Sequence, residues 1–161
     1  MIQLNLPPFD IKLRGTRQSP QIFDILRHRY VALTPEEWVR QHFIHFLTEH
    51  RNFPVSLLAN EVQLKVAEKT LRADTILYNR QQQPVMIVEY KAPNIPITQK
   101  VFDQITAYNM LLHVDYLVVS NGLQHYAFHI DSDSKKYLPL KDIPLYEEIL
   151  TKQHLPHHTS E

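Results

Sequence analysis

Two strand-like segments joined by one short polar loop constrain the fold of this chain more than any other feature. Residues 71–78 (LRADTILY) and 85–91 (VMIVEYK) are rich in apolar and β-branched side chains, and the loop NRQQQP at 79–84 separates them. Apolar runs of strand length on either side of a short polar loop predict two antiparallel strands. The chain is therefore expected to build a β-sheet around this pair.

The register of the strand pair brings charged side chains together. If the loop spans 79–84, Tyr78 faces Val85 and, counting inward, Asp74 lies opposite Glu89. The side chains of a strand alternate between its two faces. One face of the second strand is therefore expected to carry four side chains: Val85, Ile87, Glu89 and Lys91.

Helices are predicted on both sides of the pair. Thr34 can cap a helix, Pro35 suits its first position, and Glu37 completes a capping box; apolar residues then recur at helical spacing to about residue 50. A second helix begins after Thr98, with apolar residues again on one face. Further strands are expected in three places: 60–67, 115–120 and 124–130.

The order helix, three strands, helix, two strands predicts an α/β or α+β fold with a mixed β-sheet flanked by helices. Residues 1–33 are interpreted as an N-terminal extension with short strands, 34–131 as the core and 132–161 as a polar C-terminal tail, whose end HLPHHTSE is expected to be loose.

Composition excludes several classes of protein. The chain has no cysteine, so disulfides and cysteine zinc sites are excluded. No apolar run approaches the roughly 20 residues of a membrane helix, and the N-terminus does not resemble a signal peptide, which favours a cytoplasmic protein. The 17 basic and 17 acidic residues balance, but one segment is enriched in basic residues: Lys12, Arg14, Arg17, Arg27 and Arg29. That segment is the better candidate for contacts with phosphates.

The facing acids indicate a metal site. Like charges directly opposite on neighbouring strands are destabilising, so Asp74 and Glu89 need a compensating partner. A divalent cation with oxygen ligands, Mg²⁺ or Mn²⁺, would supply it. Lys91, on the same face as Glu89, can orient or deprotonate a water or stabilise charge on a phosphate. Together these groups would hydrolyse a phosphodiester without a covalent intermediate.

Each of these residues also has a structural interpretation. Glu-x-Lys on a strand is a common salt-bridging pair. Only the full pattern of acid, loop, apolar run and Glu-x-Lys favours a catalytic site. Gln104 shares a helix face with Val101 and Tyr108; if buried it needs hydrogen-bond partners and would reach the site, whereas an exposed helix glutamine would not. Glu37 either caps its helix or projects toward the metal, and the residues alone favour the cap.

A resemblance sharpens this interpretation. The stretch LRADTILYNRQQQPVMIVEYKAPN, followed by FDQITAYN and VVSNG and preceded by TPEEWVRQ, resembles the N-terminal nuclease domain of type I restriction enzyme R subunits, and more closely a group of short standalone relatives of that domain. The similarity covers roughly residues 20–130. It implies a restriction-endonuclease-like core of the PD-(D/E)xK class, although Ala73 stands where a proline often precedes the aspartate.

The resemblance implies roles for individual residues. Asp74 and Glu89 would be metal ligands, Lys91 the catalytic lysine and Glu37 a further acid at the metal. Gln104 would support the site as the first residue of a Gln-x-x-x-Tyr motif similar to that of RecB-like nucleases. Four residues are candidates for nucleic-acid contacts: Tyr108, Arg72, Arg27 and Arg29.

The resulting hypothesis is a Mg²⁺- or Mn²⁺-dependent deoxyribonuclease, an endonuclease rather than an exonuclease, in a restriction or defence system. The alternative is a non-catalytic module of the same fold that binds or assembles within a larger complex. DNA is the expected partner, with partner subunits or a homodimer as further expectations; without a Walker A motif, no ATP is expected. Zinc binding by histidines is a third possibility, with His42 and His45 on one helix and His154, His157 and His158 in the tail.

Overall fold

The computed structural model describes residues 1–153, apart from the side chains of Tyr108, Lys152 and Gln153. Within this part of the chain, two β-sheets combine with three α-helices. The elements in chain order are β1 Leu13–Gly15, β2 Pro20–Asp24, β3 Arg29–Ala32, α1 Pro35–His50, β4 Leu58–Val66, β5 Lys69–Tyr78, β6 Pro84–Tyr90, α2 Gln99–Asn109, β7 Tyr116–Ser120, β8 His125–Ile130, β9 Tyr137–Pro139 and α3 Tyr146–Gln153.

The larger sheet has six strands in the order β4-β5-β6-β7-β8-β9, and it is mixed because only β6 and β7 run parallel. The predicted order of helix, three strands, helix and two strands is confirmed. Both helix starts are confirmed as well: Thr34 Oγ1 accepts a hydrogen bond from the backbone N–H of Glu37 at 3.1 Å, and Thr98 Oγ1 accepts from Val101.

Apolar side chains cover both faces of this sheet. On one face, α1 and α3 pack on the alternate β6 side chains Met86, Val88 and Tyr90. On the other face, Ile87 packs with Ile105 of α2. A mixed sheet with helices on both faces is therefore the architecture that the alternating strand pattern specifies.

The β5–β6 register agrees with the prediction at the acids but not at the loop. Thr75 pairs with Val88 and Leu77 with Met86, but the register then shifts and Tyr78 pairs with Pro84. The predicted Tyr78–Val85 pair is thus wrong, and Val85 packs in the same cluster as Met86 rather than beside Ile87. The shift is confined to the loop end, where Pro84 has no backbone N–H to donate to a regular ladder.

The N-terminal extension forms the predicted short strands and packs on the core. The strands β1, β2 and β3 make a separate antiparallel sheet. Ile22 of β2 is fully buried in the cluster that contains α1, and Val31 of β3 packs against it. As a result α1 lies between two sheets, which accounts for the burial of every residue from 37 to 44.

The C-terminal segment forms regular elements over residues 137–153 and packs on the core, which contradicts the expected polar tail. The strand β9 pairs with β8. Ile149 of α3 is buried in the cluster that contains α1, and Ile143, which precedes the helix, is buried in the same cluster. The expectation failed because Pro139 and Pro144 interrupt the apolar residues of this segment, so that neither a strand nor a helix period is evident. Residues 154–161, including the three tail histidines, lie outside the described part of the chain.

Ile149→Ala should lower the free energy of unfolding by about 3 kcal/mol, because a large aliphatic side chain is removed from a packed core. Ile149 is only 1% exposed. The measurement is urea denaturation followed by circular dichroism. Glu148→Ala, at an exposed position of the same helix, is the matched control and should change stability by less than about 0.5 kcal/mol. Equal, negligible effects of both substitutions would mean that α3 does not dock on the core.

Over the described residues, no helix combines the length and the apolar composition that a bilayer crossing requires.

Candidate active site

Asp74 and Glu89 meet where β5 and β6 end their pairing. Extending the observed Thr75–Val88 register by one residue places Asp74 opposite Glu89, as predicted. The two carboxyl groups are close enough for a protonated Glu89 to hydrogen-bond to Asp74. Oε1 of Glu89 is buried, and no hydrogen-bond donor among the described residues reaches it. This oxygen therefore needs a proton or a cation to replace the lost contact with water.

The pair is electrostatically costly in its surroundings. Burial of the carboxyl and the nearby charge of Asp74 raise the pKa of Glu89 to about 9, against the opposing charges of Lys91 and Arg40. In the absence of a cation, this raised pKa favours the protonated form of Glu89 at neutral pH. A bound divalent cation would reverse this preference, because a positive charge beside the carboxylate favours its ionised form.

Backbone contacts fix the position of Asp74 and Lys91. The backbone N–H of Tyr90 donates to Oδ2 of Asp74 at 2.9 Å. Lys91, half-buried, directly follows β6, and its backbone N–H donates to the carbonyl of Ser120 at 2.9 Å. The acid pair and the lysine are thus held at one edge of the sheet, where β6 and β7 both end.

Arg40 is a site residue that the sequence interpretation missed. Its side chain is buried, and its guanidinium contacts three acids: Glu37 at 2.9 Å, Glu61 at 2.5 Å and Asp74 at 3.7 Å. Burial opposes the charge of Arg40, but Glu37, Asp74 and Glu61 outweigh it and raise the pKa of the guanidinium. Arg40 therefore links α1 to the edge of the large sheet beside the acid pair.

Glu61 on β4 is the second residue that was missed. It lies across from Asp74 with a left-handed φ of 54°, a conformation that non-glycine residues adopt only under constraint. Its carboxylate binds Arg40 and the exposed Arg72. Burial opposes its ionisation, but hydrogen bonds and charges from Arg72 and Arg40 lower the pKa of Glu61 overall. Nothing in the alternating pattern of β4 marks a left-handed residue.

Glu37 is placed close to this network rather than used as a cap. Its carboxylate accepts hydrogen bonds from Arg27, Arg40 and Gln41, each at 2.9 Å. The capping-box interpretation of its side chain is therefore wrong, although its backbone N–H does bind Thr34. Across residues 1–153, no three His, Asp or Glu side chains are arranged to hold one metal ion. The structure thus joins Glu37 to Asp74 through Arg40, and its role as a metal ligand stays a prediction.

The remaining candidates are spread over several surfaces. Gln104 is exposed on α2, which agrees with the alternative of an exposed helix glutamine. The helix buries Ile105 and Asn109 instead. The side chain of Tyr108 lies outside the described part of the chain. Arg27 forms ion pairs with Asp24 and Glu37, which makes it a structural residue rather than a free phosphate contact.

Arg29 and Arg72 are exposed, and Arg72 binds Glu61. The helix histidines have local partners: Nδ1 of His42 contacts the carbonyl of Trp38 at 2.8 Å, and His45 binds Glu49. Burial lowers the pKa of His42, whose ring contacts the rings of Phe9 and Trp38.

The residues at the acid pair fit a divalent cation. Asp74 and Glu89 supply the oxygen ligands that Mg²⁺ and Mn²⁺ prefer, and the buried Oε1 of Glu89 lacks any other partner among the described residues.

The fold, a mixed six-stranded sheet flanked by helices, resembles that of a solved restriction-enzyme fragment. The family model described as "Type I restriction enzyme R protein N terminus" matches residues 35–144, well over half of the chain. The chain therefore belongs to this family, as its motifs indicated. No curated protein sequence matches it.

Three solved structures illustrate the similarity. A fragment assigned as the HsdR subunit of a type I restriction enzyme from Vibrio vulnificus has a TM-score of 0.53 and 21% identity, over 75% of this chain and 25% of that one. The type IIG restriction endonuclease BpuSI has a TM-score of 0.44 and 17% identity, over 69% of this chain and 13% of that one. The structure of the DrdV–DNA complex has a TM-score of 0.45 and 20% identity, over 73% of this chain and 12% of that one. The chain thus spans a quarter or less of each of these proteins.

Proposed function

We propose that this domain is a metal-dependent deoxyribonuclease of the PD-(D/E)xK class in a restriction or defence system, and an endonuclease rather than an exonuclease. The observation that carries the proposal is the Asp74–Glu89 pair, with a buried carboxylate oxygen that no donor in the described residues reaches. A stable fold has little reason to keep two facing acids in an apolar strand pair unless a cation joins them. We place the protein in the cytoplasm, where DNA and Mg²⁺ are both available.

The protein's own residues have distinct tasks in this mechanism. Asp74, held by the Tyr90 N–H, and Glu89 would bind Mg²⁺ or Mn²⁺, which supplies positive charge to the phosphodiester and assists ionisation of water. The Lys91 ammonium orients the attacking water and stabilises the charge that develops on the phosphate. Arg40 keeps Asp74 and Glu61 in place without touching the substrate. The burial around Glu89 excludes bulk water, which strengthens each of these interactions.

A non-catalytic role in assembly is the second candidate, and one observation favours it. The ion pairs of Arg40 and Arg27 already compensate Glu37 and Glu61 without any metal. A retired nuclease domain that binds DNA or partner subunits needs no more than this.

Asp74→Asn should abolish binding of Mg²⁺ or Mn²⁺, because an amide cannot replace the ionised ligand. Lys91→Met should keep metal binding but reduce cleavage by about a hundredfold or more, on the scale of losing one charge-stabilising group. Calorimetric titration with each metal, followed by cleavage assays on DNA and RNA oligonucleotides, measures both effects.

Glu36→Gln, at an exposed position of α1, is the matched control and should behave like the wild type. If the wild type binds neither metal, with or without DNA, the catalytic proposal fails and the assembly module takes its place. If the wild type binds metal but cleaves RNA and not DNA, the proposed active site is supported and the proposed substrate is wrong.

A further inference from the structure

The small N-terminal sheet has a second face that the core does not use. Ile22 and Val31 point inward and pack on the cluster that contains α1. Because side chains alternate along a strand, the residues next to them point outward. The register pairs Phe23 with Tyr30 and Arg14 with Gln21, so these side chains lie together on the outer face.

Cations and aromatic rings alternate on this outer face. The Arg14 guanidinium lies 4.2 Å from the centroid of the Tyr30 ring, and the Lys12 ammonium lies 5.9 Å from that of Phe23. The two rings contact each other edge to face, with centroids 5.2 Å apart. The rings are only half-buried, and both cations are exposed. The outer face is therefore a row of aromatic rings, each with a cation over it.

The charge of this sheet is not compensated at its surface. Between residues 11 and 33 the single acid is Asp24, which is fully buried and paired with Arg27. Four basic side chains of the segment are exposed: Lys12, Arg14, Arg17 and Arg29. In a chain whose total charge is zero, this concentration favours a polyanionic partner.

A shallow groove extends the row of rings toward α1. It has a volume of about 110 Å³ and is lined by Phe23, Lys12, Ile25, Asp10, Phe9 and His45. Phe9 and His45 are stacked on each other, with centroids 3.9 Å apart. Asp10 contributes one negative charge at the rim, so phosphates would follow the Lys12 and Arg14 side while bases occupy the aromatic side.

We propose that the outer face of β1–β3 binds single-stranded DNA, with bases stacked on Tyr30 and Phe23 and phosphates against Arg14 and Lys12. The proposal rests on the proposed DNA function and specifies how the substrate strand is held. Flat ring surfaces next to cations are the combination that single-stranded nucleic acids use, because unpaired bases expose their faces. A duplex hides those faces, and an acidic protein would need the cations but not the rings.

The proposal can be tested by fluorescence anisotropy in EDTA, with a labelled oligo(dT) of about 15 nucleotides and a duplex of the same length. The wild type should prefer the single strand. Tyr30→Leu keeps the apolar bulk and should weaken binding about tenfold, whereas Tyr30→Phe keeps the ring and should bind like the wild type. Arg14→Gln should weaken binding and lower the slope of log affinity against log salt by about one.

Tyr126→Leu and Lys141→Gln are the matched controls, because both residues are exposed on other surfaces. The proposal is overturned if Tyr30→Leu binds as tightly as the wild type or if the duplex binds equally well. It is also overturned if Tyr30→Leu instead disrupts a concentration-dependent dimer and the wild type ignores DNA.

The same variants separate this proposal from the nuclease proposal. If Asp74→Asn still binds the single strand in EDTA and the wild type never cleaves, the binding surface is supported and the nuclease proposal is wrong. If the wild type cleaves DNA with Mg²⁺ and Tyr30→Leu cleaves equally well without single-strand binding, the nuclease stands and the surface proposal falls.

Discussion

Glu89→Gln should make the metal-free protein more stable at neutral pH and at the same time abolish its affinity for Mg²⁺. Burial and the charge of Asp74 raise the pKa of Glu89 from its ordinary 4.5 to about 9 in the folded protein. Glutamine imitates the protonated carboxyl in shape and polarity but has no charge to bury. The substitution thus removes the free-energy cost of burying the Glu89 carboxyl beside the charge of Asp74, which in the wild type only a bound cation would offset.

The sign of the pH dependence follows from proton linkage. Below about pH 4.5 both the folded and the unfolded state hold the Glu89 proton, so the residue contributes nothing to the pH dependence. Between pH 4.5 and about 9 the folded state alone holds it, so the free energy of unfolding falls as pH rises, by at most about 1.4 kcal/mol per pH unit. The wild type should therefore lose stability relative to Glu89→Gln as pH increases.

Urea denaturation at about pH 5.5, 7 and 8.5, with and without Mg²⁺, measures this difference. Mg²⁺ should stabilise the wild type, and more so at the higher pH, because binding displaces the Glu89 proton. It should not stabilise Glu89→Gln. The exposed Glu36→Gln is the control and should follow the wild type in all conditions. A difference between wild type and Glu89→Gln that stays constant across this pH range would show that Glu89 is ionised without a metal.

The position of the acid pair could be predicted because local rules determine it. Strand alternation and the counted loop place Asp74 opposite Glu89, and the structure agrees at this point because the register shift between Leu77 and Tyr78 offsets a loop that is one residue shorter than counted. Thr34 and Thr98 mark the helix starts through their own side chains. Each of these features depends on residues close in sequence, which is where single-sequence reasoning is strongest.

The Arg40 network could not be predicted because it depends on an element distant from the acids in sequence. On an amphipathic helix, Arg40 and Gln41 would be assigned to solvent. They are buried because the small N-terminal sheet covers the side of α1 that the large sheet leaves free. The role of Glu61 could not be predicted either, because its left-handed backbone interrupts the regular alternation of β4. The sequence left the burial of Gln104 open, and the structure exposes it because α2 is covered on one side only.

Arg40→Met should destabilise the protein by about 3–5 kcal/mol at pH 7, the range observed when one partner of a buried ion pair is removed. Arg40 is 3% exposed and binds Glu37 and Glu61 through different nitrogens of its guanidinium. Methionine retains most of the apolar stem, so the loss comes from removal of the positive charge that Glu37, Glu61 and Asp74 share. Arg27 and Arg72 remain as partial counter-charges for the first two acids. The stability of Arg40→Lys should lie between those of the wild type and Arg40→Met. A single ammonium keeps the charge but cannot bind both carboxylates as the planar guanidinium does.

The pH dependence distinguishes this electrostatic loss from lost packing. Arg40 and Arg72 help to lower the pKa of Glu61, so the stability it contributes is present above its ordinary pKa of 4.5 and is lost as pH falls through the lowered value. The difference between wild type and Arg40→Met should therefore shrink under acid conditions, whereas a packing defect would persist. Glu37→Gln should partly restore the stability of Arg40→Met, because it removes a buried negative charge that Arg27 alone would then have to compensate. Arg80→Met, at an exposed loop position, should change stability by less than about 0.5 kcal/mol. If Arg40→Met is equally destabilised at every pH and Glu37→Gln does not rescue it, Arg40 acts as a packing residue and the acids do not depend on its charge.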